Sequence, residues 1–198
     1  MKSVLISIQP KWCELIANGR KTVEVRKTKP KLETPFKVYI YCTLQGSNEF
    51  FKELKERFGE YEAVSKWNRE NWGIRKGKVI GEFVCDLVKS TALWRIKGNT
   101  GFCAKRTERE ELLPKMSCLS IEEIEKYAGS ENRIVYGWHI SNLVIYDKPR
   151  ELSEFKIIGC KGCRDKDTYH CKFHCKGERK LTRPPQSWCY VESEVDTE

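Results

Sequence analysis

The densest run of reactive side chains lies near the C-terminus, in CKGCRDKDTYHCKFHC over residues 160–175. Cys160 and Cys163 are spaced C-x2-C, which places two thiolates on one tight turn. Cys171 and Cys175 are spaced one helical turn apart, so both can face one ion. His170 and His174 offer the same spacing one position earlier. The pattern predicts a structural zinc held by Cys160, Cys163, Cys171 and Cys175. Two cysteines with His170 and His174, or a mixture, are the alternatives. Lys161, Lys166, Lys172 and Lys176 would offset the charge of such a site. Bound metal would also account for the folding of so short and polar a segment. No open position or paired base is legible, so the metal is read as structural.

A second group with chemical potential is Lys21, Glu24 and Arg26, with Lys11, Arg20 and Lys27 beside them. A lysine on a tight turn next to a carboxylate can contact a phosphate. It can also serve as a nucleophile if burial or neighbours depress its pKa. The elements that must position these residues are readable in Ile8 to Lys27, IQPKWCELIANGRKTVEVRK. Pro10 suits a first helical turn because no amide donor is needed there. Trp12, Leu15 and Ile16 form one apolar helical face, and Asn18-Gly19 suits a left-handed stop. Val23-Glu24-Val25-Arg26 alternates as a half-buried strand does. Lys11, Arg20, Lys21, Arg26 and Lys27 are candidate phosphate contacts. Trp12 is read as core by its spacing, or else as the floor of a base pocket.

Gly19, Lys21, Glu24 and Arg26 together form a G-x-K-x-x-E-x-R run between a helix and a strand. This run resembles the signature of the ASCH family, small relatives of the PUA RNA-binding domain. The resemblance extends over most of the chain and leaves out the cysteine-rich segment, which is read as an insertion. It implies a β-barrel with a cleft for nucleic acid or a nucleoside. It also implies an enzymatic alternative. Some small bacterial members look like amidohydrolases that deacylate N4-acetylcytidine with a lysine in this turn, a threonine three residues on and a distant glutamate. Lys21 matches the lysine, Glu24 stands where the threonine would be, and Glu82 or another strand glutamate would supply the distant acid. Other relatives are ribonucleases or RNA binders.

The late run Arg183-Pro184-Pro185-Gln186-Ser187-Trp188 is a further candidate. Its two prolines fix an extended approach to a strand. Arg183 could meet a phosphate, Gln186 and Ser187 a base edge, and Trp188 a base face. The resemblance puts a segment like this near the cleft. His139, beside Trp138, is a possible proton-transfer group.

The charge distribution supports a polyanionic ligand. The net charge is +9 over 198 residues. Residues 1–37 carry nine Lys or Arg against three acids, and residues 150–183 carry ten against five. Phosphate backbones are the commonest partner of such basic ends. No apolar run is long enough for a transmembrane helix, and the first strand is too short for a signal peptide. A cytoplasmic location is therefore expected, and with it reduced cysteines.

The remaining chain alternates strands with short helices, without regular βαβ units. Strands are expected over residues 2–9, 38–43, 79–88, 134–146 and 187–191, with helices over 46–59, 64–75 and 120–128. Residues 93–109 read as a loop. Ser120 and Glu123 form a capping box. Gly81 suggests a bulge or a close backbone approach. The expected fold is α+β, a PUA-like mixed β-barrel with short flanking helices. Residues 1–158 and 181–191 would form the barrel, 159–180 the zinc knuckle and 192–198 an acidic tail. The expected function is binding of RNA or a modified nucleotide in a basic cleft, with DNA also possible. A lysine-dependent amidohydrolase, a ribonuclease and a protein-interaction module are the alternatives, with protein partners unspecified.

Overall fold

A computed structural model describes residues 2–69, 72–91, 93–96, 99–102, 112–129, 134–158 and 179–192. It divides into two compact units. The first comprises Met1–Cys13, Lys37–Phe83 and Val144–Glu198, and the second Glu14–Phe36 and Val84–Leu143.

The first unit is built on a mixed sheet. Strand β1 (Lys2–Ile8) pairs in parallel with β3 (Phe36–Cys42) and antiparallel with β12 (Trp188–Glu192). Outside them lie β4 (Val79–Cys85) and β9 (Ser141–Arg150) on one flank, and β10 (Lys156–Ile157) and β11 (Arg179–Lys180) on the other. β1 and β3 are β-branched and aromatic, as two-sided burial requires. Leu5, Tyr39, Tyr41, Val79, Leu152, Phe155, Leu181 and Val191 form a core on one face. Helices α2 (Ser47–Phe58), α3 (Glu60–Arg69) and α4 (Trp72–Arg75) carry their own aromatic contacts. Phe50 meets Trp67 and Trp72 edge-on or tilted at 6.1 and 5.6 Å, and Trp72 is fully buried. Both tryptophans therefore do packing work.

Gly81 in β4 marks a close approach. A Cβ there would lie 2.3 Å from the Val144 carbonyl oxygen. Only glycine fits at that crossing.

The second unit has a three-stranded antiparallel sheet. Its order is β2 (Val23–Arg26), β8 (Val135–His139) and β5 (Val88–Thr91). Helices α5 (Leu112–Ser117) and α6 (Ile121–Ala128) accompany it. Val25, Ile124, Ala128 and Val135 make the core, with Leu113 and Tyr127 against it. The capping box is present: Ser120 accepts from the Glu123 amide, and Glu123 accepts from the Ser120 amide. Helix α1 (Pro10–Ala17) precedes β2.

The barrel and three finer expectations are corrected. Among the described residues no sheet closes into a barrel: the seven-strand order ends at β11 and β9, and β2 pairs with β8 in a separate sheet. Closure needs the terminal strands to pair, and β10 and β11 offer only two residues each. Alternating strands and short helices read the same whether the sheet is open or closed, so the α+β class survives and the barrel does not. The stretch 93–109, read as a loop, begins with a hairpin of β6 (Leu93–Ile96) and β7 (Asn99–Phe102). The expected strand 79–88 is broken into β4 and β5, and 134–146 into β8 and β9, with Asn142 at positive φ just after the break.

Candidate functional site

The signature residues converge in the second unit. α1 ends at a left-handed Gly19 (φ 74), where the Gly19 amide donates to the Ile16 carbonyl. The Lys21 amide donates back to the Leu15 carbonyl at 2.8 Å. This closes the carbonyls at the helix end and turns the chain into β2. Thr22 then donates to the Met116 carbonyl, which ties the turn to α5.

The turn delivers three charged side chains into the interior. The Lys21 ammonium donates to the Ser117 carbonyl at 2.7 Å and lies 3.3 Å from the Glu24 carboxylate. The other Glu24 oxygen meets the Arg26 guanidinium at 2.9 Å. Two cations thus share one carboxylate. Such a network holds only while every member keeps its partners, because an uncompensated buried charge is expensive. The other predicted residues of this stretch, Arg20 and Lys27, are exposed, and so are Lys29 and Lys31. The Arg20 carbonyl accepts from the Cys118 thiol at 3.3 Å, and the Lys27 ammonium sits 5.2 Å from the Tyr127 ring centre.

The ASCH domain model matches residues 6–170. The chain belongs to the ASCH domain family. Solved structures of a Zymomonas mobilis ASCH protein are similar to it in fold. One point variant is 14% identical, with a TM-score of 0.54, over 96% of this chain and 88% of that one. A second variant is 14% identical, with a TM-score of 0.50, over 97% and 91%. No curated protein matches.

In this ASCH chain Lys11, Trp12, Glu82, Arg183, Gln186, Ser187 and Trp188 belong to the first unit, and His139 to the second. Lys11 pairs with Glu53 at 3.1 Å, and its ammonium lies 5.2 Å from the centre of the half-buried Trp12 ring. Glu82 is held on both oxygens. Tyr146 donates its hydroxyl to one at 2.6 Å, and Lys37 reaches the other at 3.1 Å. Burial and that carboxylate push the Tyr146 phenol well above its ordinary range. Glu82 is thus engaged by partners that the sequence reading did not name.

Arg183 and Gln186 are exposed, while Ser187 and Trp188 are half-buried. The approach is anchored by β1: Ser7 donates its amide to the Ser187 carbonyl at 2.9 Å and its hydroxyl to the Pro185 carbonyl at 2.7 Å. Trp188 packs on Tyr190 at 5.3 Å. Tyr190 went unremarked in the sequence, although two aromatics spaced i, i+2 on a strand share a face. His139 faces Asp86, with Nδ1 and Oδ1 2.6 Å apart. The imidazole holds the Asp86 carboxyl below the usual carboxylate range. Asp86 sits just past the end of β4, a position that carries no periodic signal.

The structural zinc is also corrected. Among the described residues no group of three or more His, Cys, Asp or Glu could hold a metal ion. Cys160, Cys163, Cys171 and Cys175, with His170 and His174, lie outside the described residues. Two of the described cysteines, Cys85 and Cys189, are held as thiols by burial. Burial pushes the thiol of Cys85 up to about 12 and that of Cys189 up to about 11, so both hold their protons near neutrality. Cysteine spacing says which thiols can converge, not that they do. No helix among the described residues is long and apolar enough to cross a membrane.

Proposed function

We propose that this ASCH domain binds nucleic acid, with RNA or a modified nucleotide as its ligand, through exposed basic side chains. The observation that carries the reading is the division of labour in the signature. Lys21, Glu24 and Arg26 are buried and paired, while Arg20, Lys27, Lys29 and Lys31 stay exposed around them. The buried network fixes the turn and the strand. Arg20, Lys27 and Lys29 are the exposed cations that would meet phosphates. Within the first unit, Lys11 and Arg183 are the corresponding phosphate candidates, and Trp12, Gln186, Ser187 and Trp188 the base-contact candidates.

Lys21 then acts as a positioning group. A lysine nucleophile must reach its substrate, and this one is buried, turned onto the Ser117 carbonyl and the Glu24 carboxylate. This geometry favours binding over lysine-dependent hydrolysis. Equilibrium titration against RNA, DNA and free nucleosides tests the reading. Saturable, salt-sensitive binding of RNA is expected. No binding of any of the three at low salt would end it.

A further inference from the structure

The side of the first unit's sheet that ends in β10 and β11 carries an arrangement that the motif reading did not reach. In register, Lys2 lies opposite Glu192, Val4 opposite Tyr190 and Ile6 opposite Trp188. Opposed residues of antiparallel strands share a face. Lys2, Glu192, Tyr190 and Trp188 therefore share a face with Val4 and Ile6, which are fully buried. Lys156 reaches Glu192 at 4.0 Å, and Lys156 is the register partner of Lys180. One row across four strands thus reads Lys180, Lys156, Glu192, Lys2.

Two features of this row point to an anion. Like charges directly opposite each other on paired strands are destabilising. Lys156 and Lys180 are so placed, on strands of two residues that can ill absorb the repulsion. Glu192 pairs with Lys156 at 4.0 Å, the outer limit of an ion pair, in a row that holds three lysines. An anion bound there relieves the repulsion, as a further carboxylate would. The second feature is the aromatic stripe adjoining the row. Trp188 and Tyr190 are half-buried and edge-on to each other, and the Lys2 ammonium sits 3.8 Å from the Tyr190 ring centre. Lysines beside an aromatic stripe match the alternation of phosphate and base along an unpaired strand. A duplex keeps its base faces stacked and cannot use the aromatic part.

We infer that this face is a subsite for single-stranded nucleic acid, with phosphates on Lys2, Lys156 and Lys180 and a base stacked on Trp188. The inference rests on the nucleic-acid reading above and adds the strandedness of the ligand. The test is fluorescence anisotropy of the whole protein with one labelled RNA, single-stranded or annealed to its complement. The variants are Lys156→Ala/Lys180→Ala and Trp188→Leu, with Trp188→Phe as the aromatic rescue. The wild type should bind the single strand more tightly than the duplex. Trp188→Leu should lose on the order of tenfold for the single strand, restored by Trp188→Phe. The lysine pair should flatten the salt slope by about 1.4, at ~0.7 per contact. The lysine variant keeps the test valid should Trp188→Leu fail to fold. Equal affinity for strand and duplex, or unchanged slope and affinity in the lysine variant, overturns the subsite and leaves the general reading standing. Absence of any wild-type binding overturns both.

Discussion

The Lys21 ammonium and the Glu24 carboxylate lie 3.3 Å apart, and both side chains are more than nine-tenths buried. With Arg26 on its other oxygen, Glu24 is the sole anion of the described triad. Glu24→Gln removes a carboxylate shared by two buried cations and should cost about 3–5 kcal/mol. Lys21→Met leaves Glu24 paired with Arg26 and should cost less. Urea unfolding measures both. A loss under about 1 kcal/mol for Glu24→Gln would mean that the network behaves like a solvated surface pair.

Gly81 and Gly19 separate two reasons for glycine. Gly81→Ala forces a Cβ to within 2.3 Å of a backbone oxygen in β9, which cannot swing aside. A loss of about 3 kcal/mol is expected. Gly19→Ala meets no atom within 4 Å but sits at φ +74, so about 1 kcal/mol is expected. Thermal melts of the two variants should rank in that order. The reverse ranking would contradict the β4–β9 crossing.

His139 lowers the Asp86 carboxyl by hydrogen bonding. A carboxyl lowered on folding contributes stability present above its unfolded value of about 3.9 and lost as pH falls through the folded value. Asp86→Asn should therefore be less stable than wild type above about pH 4, with the gap closing as pH falls further. Melting temperatures across pH 2 to 7, on the order of one point per half unit, follow this directly. A gap that stays constant to the acid end would show that the pair carries no linkage.

Cys85 and Cys189 should resist alkylation. Their thiols are pushed up to about 12 and about 11 by burial, whereas Cys118 is half-buried in the turn after α5. At about pH 8, iodoacetamide followed by peptide mapping should label Cys118 well before either of the others. Early labelling of Cys85 would place it in a different environment from the strand end described here.

Local rules carried a good part of this structure and tertiary facts the rest. Ser120 and Glu123 predicted their own cap and Gly19 its turn, because each depends on neighbours in sequence; Gly81 was readable as a bulge or a close approach, and only its partner strand decides between them. The barrel failed because β2 pairs with β8 over a separation that periodicity does not encode. The signature Lys21, Glu24 and Arg26 was legible as a group. Its burial was not, because the Ser117 carbonyl that receives Lys21 comes from 96 residues away. The partners of Glu82, Tyr146 and Lys37, are likewise distant in sequence. The row of Lys2, Lys156 and Lys180 appears only once strand register is known.

The central claim is that exposed cations around a buried signature bind RNA phosphates. Its most direct test is the salt dependence of RNA affinity for the wild type and for Arg20→Ala/Lys27→Ala, between about 50 and 200 mM salt. Both residues are exposed, so the fold should tolerate the change. The account predicts a linear fall of log affinity with log salt in the wild type and a slope shallower by about 1.4 in the variant. Identical slopes, or no RNA binding at the lowest salt, would contradict it.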